Sequence, residues 1–210
     1  MKRKTLTLTL CLLVCLSLIG VGFASWIITK NVDENADGNI VVDVVEDQRY
    51  SIEYEWVDSK SSLVFGYNPS VTQMENAWLT NTTTDTTKNE NLTVTLKVTV
   101  KNAGAAIDKE PVSTVSIVDD ANTNWAKAKA ANLVTDPTVT VTKVEGEGNT
   151  GVYNITITAA WGTAFDSTNP YTYYNNLEAT DANMDAASTN LKMIEALSSI
   201  TFKLNIKVTA

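Results

Sequence analysis

Between Leu92 and Lys101 the chain alternates without a break. Leu92, Val94, Leu96, Val98 and Val100 take one side, and Thr93, Thr95, Lys97, Thr99 and Lys101 take the other. Successive side chains on a strand point to opposite faces, so a period of two predicts a strand with one dry and one wet face. The same rule predicts strands across Ile52, Tyr54 and Trp56 and at 138–144, 152–160 and 200–208; 40–45 reads as a buried strand and 112–118 as another, with weaker candidates at 25–29 and 63–67. Asn102-Ala103-Gly104 reads as a turn, Asn68-Pro69-Ser70 as a stop, and the threonine- and asparagine-rich stretch 80–90 as an exposed loop. Gly146-Glu147-Gly148-Asn149-Thr150-Gly151 reads as the link of a β-hairpin that places Tyr153, Ile155, Ile157, Ala159 and Trp161 on one inner face.

The period lengthens in two places. Met184, Ala187, Leu191, Ile194 and Leu197 recur at three or four, which predicts an amphipathic helix capped by Thr180 or Asp181. A shorter helix is expected where Thr123 or Asn124 can cap an alanine-rich run with Trp125 and Leu133 on its apolar side. Seven to nine short strands with no regular strand-helix alternation predict a mainly β protein, an antiparallel β-sandwich of jelly-roll or immunoglobulin-like type with one or two helical insertions.

The first residues break both patterns. Lys2, Arg3 and Lys4 precede an apolar run that closes with small residues at Gly20, Gly22, Ala24 and Ser25, the order of a secretory signal peptide. Cleavage is expected between Ala24 and Ser25. The alternative is a retained anchor, since about 25 uncharged helical residues would reach roughly 37 Å, enough to cross a hydrocarbon core of ~30 Å. Both readings place the remainder outside the cell and leave the membrane to the signal segment alone. The chain therefore divides into a signal at 1–24, an N-terminal arm and first strand at 25–46, and one β domain at 47–210.

Charge narrows the partners. The sequence carries 16 lysines and arginines against 24 acids, and removing the leader's three cations leaves a net charge of −11. Such a surface repels nucleic acid and anionic lipid. There is no histidine, so neither a Ser-His-Asp triad nor a His-ligated zinc can be built, and no enzyme activity is expected. Both cysteines, Cys11 and Cys15, lie in the leader, which leaves the mature chain without a disulfide.

Three features could carry chemistry. Asp33, Asn35, Asp37 and Gly38 match the opening of a calcium loop, but the acid expected to close it falls on Val44, so a solvated linker is the expectation and calcium the alternative cofactor. Trp161, Phe165, Asn169, Tyr171, Tyr173 and Tyr174 crowd into a turn-rich loop at 161–176, where aromatic faces could stack on a sugar or anchor a partner, although closing the end of a sandwich is the commoner use. Asp119 with Asp120 and Glu145 with Glu147 pair carboxylates as a glycosidase does, but solvated turns are the default reading. The Asn-x-Thr sites at Asn81, Asn91 and Asn154 are expected to be silent behind a bacterial-type leader.

The stretch Gly20-Val21-Gly22-Phe23-Ala24-Ser25-Trp26, followed by a polar link and the apolar strand 40–45, resembles the processing region of proteins cleaved by the SipW-type signal peptidase of Gram-positive bacteria. That class includes the matrix fibre protein TasA and camelysin. Trp161-Gly162, Phe165, Asn169-Pro170-Tyr171 and Tyr173-Tyr174-Asn175 are similar to a stretch found in uncharacterised secreted bacterial proteins. The resemblance implies a secreted or cell-surface structural or adhesive protein that associates with itself or with other matrix proteins, in the manner of a biofilm-matrix fibre joined through an N-terminal strand. The metalloprotease activity described for camelysin relatives is not carried over, because histidine is absent. A secreted carbohydrate- or ligand-binding protein using 161–176 is the alternative.

Overall fold

The computed structural model describes residues 40–45, 49–73, 75–79, 86–118 and 124–208. The signal, the expected strand at 25–29, the Asp33 to Asp37 loop, Asn81, and the Asp119-Asp120 pair lie outside the described residues. The protein is mainly β, with two sheets and a few helices.

The smaller sheet holds β1 (Ile40–Val45), β5 (Val112–Ile117) and β8 (Phe202–Lys207), with β8 in the middle. The larger holds β2 (Tyr50–Trp56), β3 (Thr93–Asn102), the two-residue β4 (Ala105–Ala106), β6 (Val134–Lys143) and β7 (Val152–Trp161), in the order β2-β3-β7-β6 with β4 on β3. Among the described residues every strand pair is antiparallel except one. β1 runs parallel to β8, with Ile40 opposite Phe202 and Val44 opposite Ile206, a direction open to strands that no hairpin joins.

The alternation that predicted β3 is the pattern observed: Val94, Leu96, Val98 and Val100 are buried and their neighbours are not. All five inner residues proposed for β7 are buried as well. β6 begins four residues earlier than periodicity predicts, at Val134, because the irregular stretch Asp136-Pro137 is absorbed as a register shift between Thr135 and Thr138. A bulge is where a strand tolerates a proline that has no N–H to donate.

The helices lie where the chain changes sheets. α1 (Asn124–Ala130) stands between β5 and β6; α2 (Pro170–Asn175) and α3 (Asp181–Glu195) stand between β7 and β8. Thr180 caps α3, its hydroxyl accepting from the Asn183 N–H at 3.3 Å. Met184, expected on the apolar face, is instead exposed, because α3 presses on the body through Ala187 and Ile194, beyond its first turn.

One strand expectation and one loop expectation are corrected. Residues 63–67 do not form a strand, only isolated bridges from Val64 to Asn91 and from Tyr67 to Asn89, since their neighbour is itself a loop. A Cβ at Gly66 would stand 1.9 Å from the Lys88 carbonyl oxygen, so this approach requires glycine. Glu90, expected in an exposed loop, is half-buried. Side chains from both sheets, from α1 and from α3 join one apolar cluster, so the body has a single core.

Candidate functional site

The segment 161–176, expected to be a turn-rich loop, folds as a single turn at Thr163–Phe165 followed by α2. Asn169 starts that helix: its side-chain oxygen accepts from the Tyr171 N–H at 2.9 Å, and Pro170 takes the first helical position, where a missing N–H costs nothing. The Asn-Pro pair was the signal available in the sequence.

The rings divide by depth. Trp161, Phe165 and Tyr174 are buried, while Tyr171 and Tyr173 are half-buried. Edge-to-face contacts run from Phe202 on β8 through Trp125 of α1 at 5.4 Å and Phe65 at 5.6 Å to Trp161 on β7 at 5.4 Å, and so tie one sheet to the other. Phe165 continues the series to Tyr174 at 5.9 Å, and Tyr174 meets Trp78 at 6.4 Å. This geometry places the positive edge of one ring against the negative face of the next.

The polar residues of the same segment pin the loops around it. Asn169 donates to the Glu90 carboxylate at 2.6 Å and to the Gly66 carbonyl at 3.2 Å, and the Trp161 indole N–H donates to the same Glu90 oxygen. Asn68 donates to the Thr172 hydroxyl at 2.7 Å. Asn175 exchanges both of its amide bonds with the Leu79 backbone, at 2.8 and 2.6 Å, as a neighbouring strand would. Glu90 is the residue that sequence reasoning missed: nothing in a threonine-rich loop marks one acid as the acceptor for a tryptophan and an asparagine 71 and 79 positions away.

Beside α2 the pinned loops leave a cleft of about 580 Å³, in the usual range for small-molecule sites. Its floor includes Leu63, Phe65 and Ile194; Tyr67 and Tyr171 line one side, their ring centroids 4.8 Å apart and tilted by 56°. Burial pushes the Tyr171 hydroxyl well above the usual tyrosine range, helped by the neighbouring Tyr67 and Glu195. Burial also raises Tyr174, partly offset by the Asn190 amide, which donates to its oxygen at 2.8 Å. Of the six candidate residues in 161–176, the cleft takes Tyr171; Trp161, Phe165, Asn169 and Tyr174 serve the core and its clamps.

A second place is defined by β1. It stands at a sheet edge and buries Ile40, Val42 and Val44 in the shared core, while Asp43 on the opposite face pairs with Lys203 at 2.8 Å. That diagonal pair helps to set the register, since Lys203 lies opposite Val41.

The other candidates are placed apart or not at all. Ala24, Ser25, Asp33, Asn35 and Asp37 lie outside the described residues, and Glu145 and Glu147 are exposed in the β6-β7 link. Among the described residues no group of three acids is close enough to hold a metal ion, and no helix is long and apolar enough to cross a membrane. No family model, curated protein or solved structure matches the chain.

Proposed function

We propose that the protein is a secreted or cell-surface structural protein whose copies join head to tail, each lending its N-terminal strand to the next and so building a fibre. The observation that carries this reading is the placement of β1. An edge strand that pairs in parallel with β8, and that no hairpin ties to it, fills a slot which the β1 of another copy fills equally well. Four residues separate Val45 from Tyr50, and the strands they join belong to different sheets, so β1 shares no ladder with β2 that exchange would break. Once β1 leaves, β8 presents an unpaired edge and an apolar slot, a template for the next chain. The contact is heterologous and does not close, hence filamentous. In this reading the two sheets form a sandwich of jelly-roll or immunoglobulin-like type, completed by the donated strand. The export-type leader, which delivers the arm outside the cell, supports the same reading.

The test compares the secreted protein with a version beginning at Asp47 and with a locked one. Asp43 and Asn205 are register partners, so the pair Asp43→Cys with Asn205→Cys is placed to tether β1 to its own β8. Electron microscopy should show fibres for the secreted protein, none for the Asp47 version, and none for the locked protein until it is reduced. Fibres from the oxidised locked protein, or a secreted protein that stays monomeric at high concentration, would refute strand exchange.

A further inference from the structure

The cleft between Tyr67, Tyr171 and α3 has a chemistry that strand exchange does not use, and no residue of β1 lines it. Its rim carries two cations, Lys88 and Lys192, and one acid, Glu195, all exposed. Among the described residues neither lysine forms an ion pair, whereas Lys97, Lys101, Lys129, Lys143 and Lys203 all do. A locally positive rim on a chain of net charge −8 selects a ligand that carries a negative group. The walls add a second requirement. Two half-buried rings tilted by 56° form a corrugated apolar surface, too uneven to sandwich a flat base but suited to the C–H face of a puckered ring. Ser188 and Glu195 add a hydroxyl and a carboxylate beside those rings, groups that bond to ligand hydroxyls. Because the rim residues are exposed, the cleft is open to solvent.

We propose that this cleft binds an acidic saccharide of the uronate type, with the sugar ring against Tyr67 and Tyr171, its carboxylate on Lys88 or Lys192 and its hydroxyls on Ser188 and Glu195. The site adds recognition of an acidic polysaccharide to a protein that assembles, and it stands whether or not β1 exchanges.

Calorimetric titration of the purified secreted protein with tri-galacturonate, galacturonic acid and neutral cellotriose tests the assignment. Tri-galacturonate should bind, galacturonic acid more weakly, and cellotriose at least about tenfold more weakly than the charged trimer, the factor expected when a charge-assisted hydrogen bond is lost. Lys88→Gln and Lys192→Gln change exposed residues and should leave the melting temperature in place; the double variant should lose about tenfold in affinity. Tyr67→Leu, checked for an unchanged fold by circular dichroism, should lose about fivefold through the missing ring face. No binding of tri-galacturonate overturns the proposal, as does equal binding of cellotriose. Binding that falls in the lysine variants but is untouched in Tyr67→Leu also overturns it, because that is the signature of a charged surface without a sugar site. A locked β1 that abolishes fibres while binding persists separates the failure of one proposal from the failure of the other.

Discussion

The β3-β7 sheet and the aromatic end at 161–177 bury comparable side chains by different means. In the sheet, backbone ladders satisfy the polar groups and each inner residue contributes a simple apolar surface; Leu96, Ile155 and Ile157 are fully buried with no polar duty. At the aromatic end, loops with few ladder bonds are held by side chains, so the rings fill the core while Asn169, Asn175 and Glu90 replace the missing backbone partners. The difference teaches where this protein is brittle. A ladder tolerates the loss of any one side chain's polar atoms, but a side-chain clamp does not.

The largest expected effects remove the buried groups themselves. Phe165→Ala should cost about 4 kcal/mol and Leu96→Ala about 3 kcal/mol in denaturant unfolding, each the sum of lost transfer energy and the cavity left behind. If Phe165→Ala costs less than about 1 kcal/mol, Phe165 does not anchor the aromatic end to the core. The next effect breaks the symmetry. Asn169→Ala should cost about 2 to 3 kcal/mol by removing the α2 cap and leaving Glu90 short of a donor. Thr156→Ala, on the wet face of the sheet, should stay within about 0.5 kcal/mol although it also loses a hydrogen bond, to Thr95. A double-mutant cycle of Asn169→Ala with Glu90→Gln sharpens this: additivity would deny that the two residues act as one clamp.

Smaller again is the response to pH, and it differs between the regions in sign. Burial raises the hydroxyls of Tyr171 and Tyr174 in the folded protein. Unfolded tyrosines ionise near pH 10, so the stability these two contribute is full below about pH 10 and is lost as pH rises through their higher folded values. Tyr171→Phe should therefore flatten the loss of melting temperature above that point. In the β6-β7 hairpin, the Lys143 ammonium and then the Gly151 N–H hold Asp108 below the usual carboxylate range, so its contribution is present above about pH 3.9 and lost as pH falls. Because both partners are solvent-exposed, Asp108→Asn should change the acid limb of the pH profile by little. The smallest effect is on the sheet's surface. Glu55→Ala breaks the exposed pair with Lys97 at 3.1 Å and should shift stability by no more than about 0.5 kcal/mol.

The sequence by itself determined the inner faces of β3, β7 and β8, because alternation is a local property: which of Val94 and Thr95 is apolar does not depend on any distant residue. It likewise determined α3 and its start at Thr180 or Asp181, since the 3.6-residue period and a capping side chain act within one turn, and the structure selects Thr180. Only the tertiary structure decided the rest. Val42 is apolar in any reading, but that its strand lies parallel to β8 depends on the distant Leu204 opposite it. The rings of 161–176 could have faced solvent; Phe65 and Trp78 cover them, and those partners come from separate parts of the chain. The cleft has the same origin. Tyr67, Lys88, Tyr171 and Lys192 lie far apart in sequence, share no motif, and become neighbours because Gly66 admits the Lys88 carbonyl and Glu90 accepts from Trp161 and Asn169. Periodicity reports which side of an element is dry, whereas a site made by side-chain clamps between loops depends on contacts that carry no period.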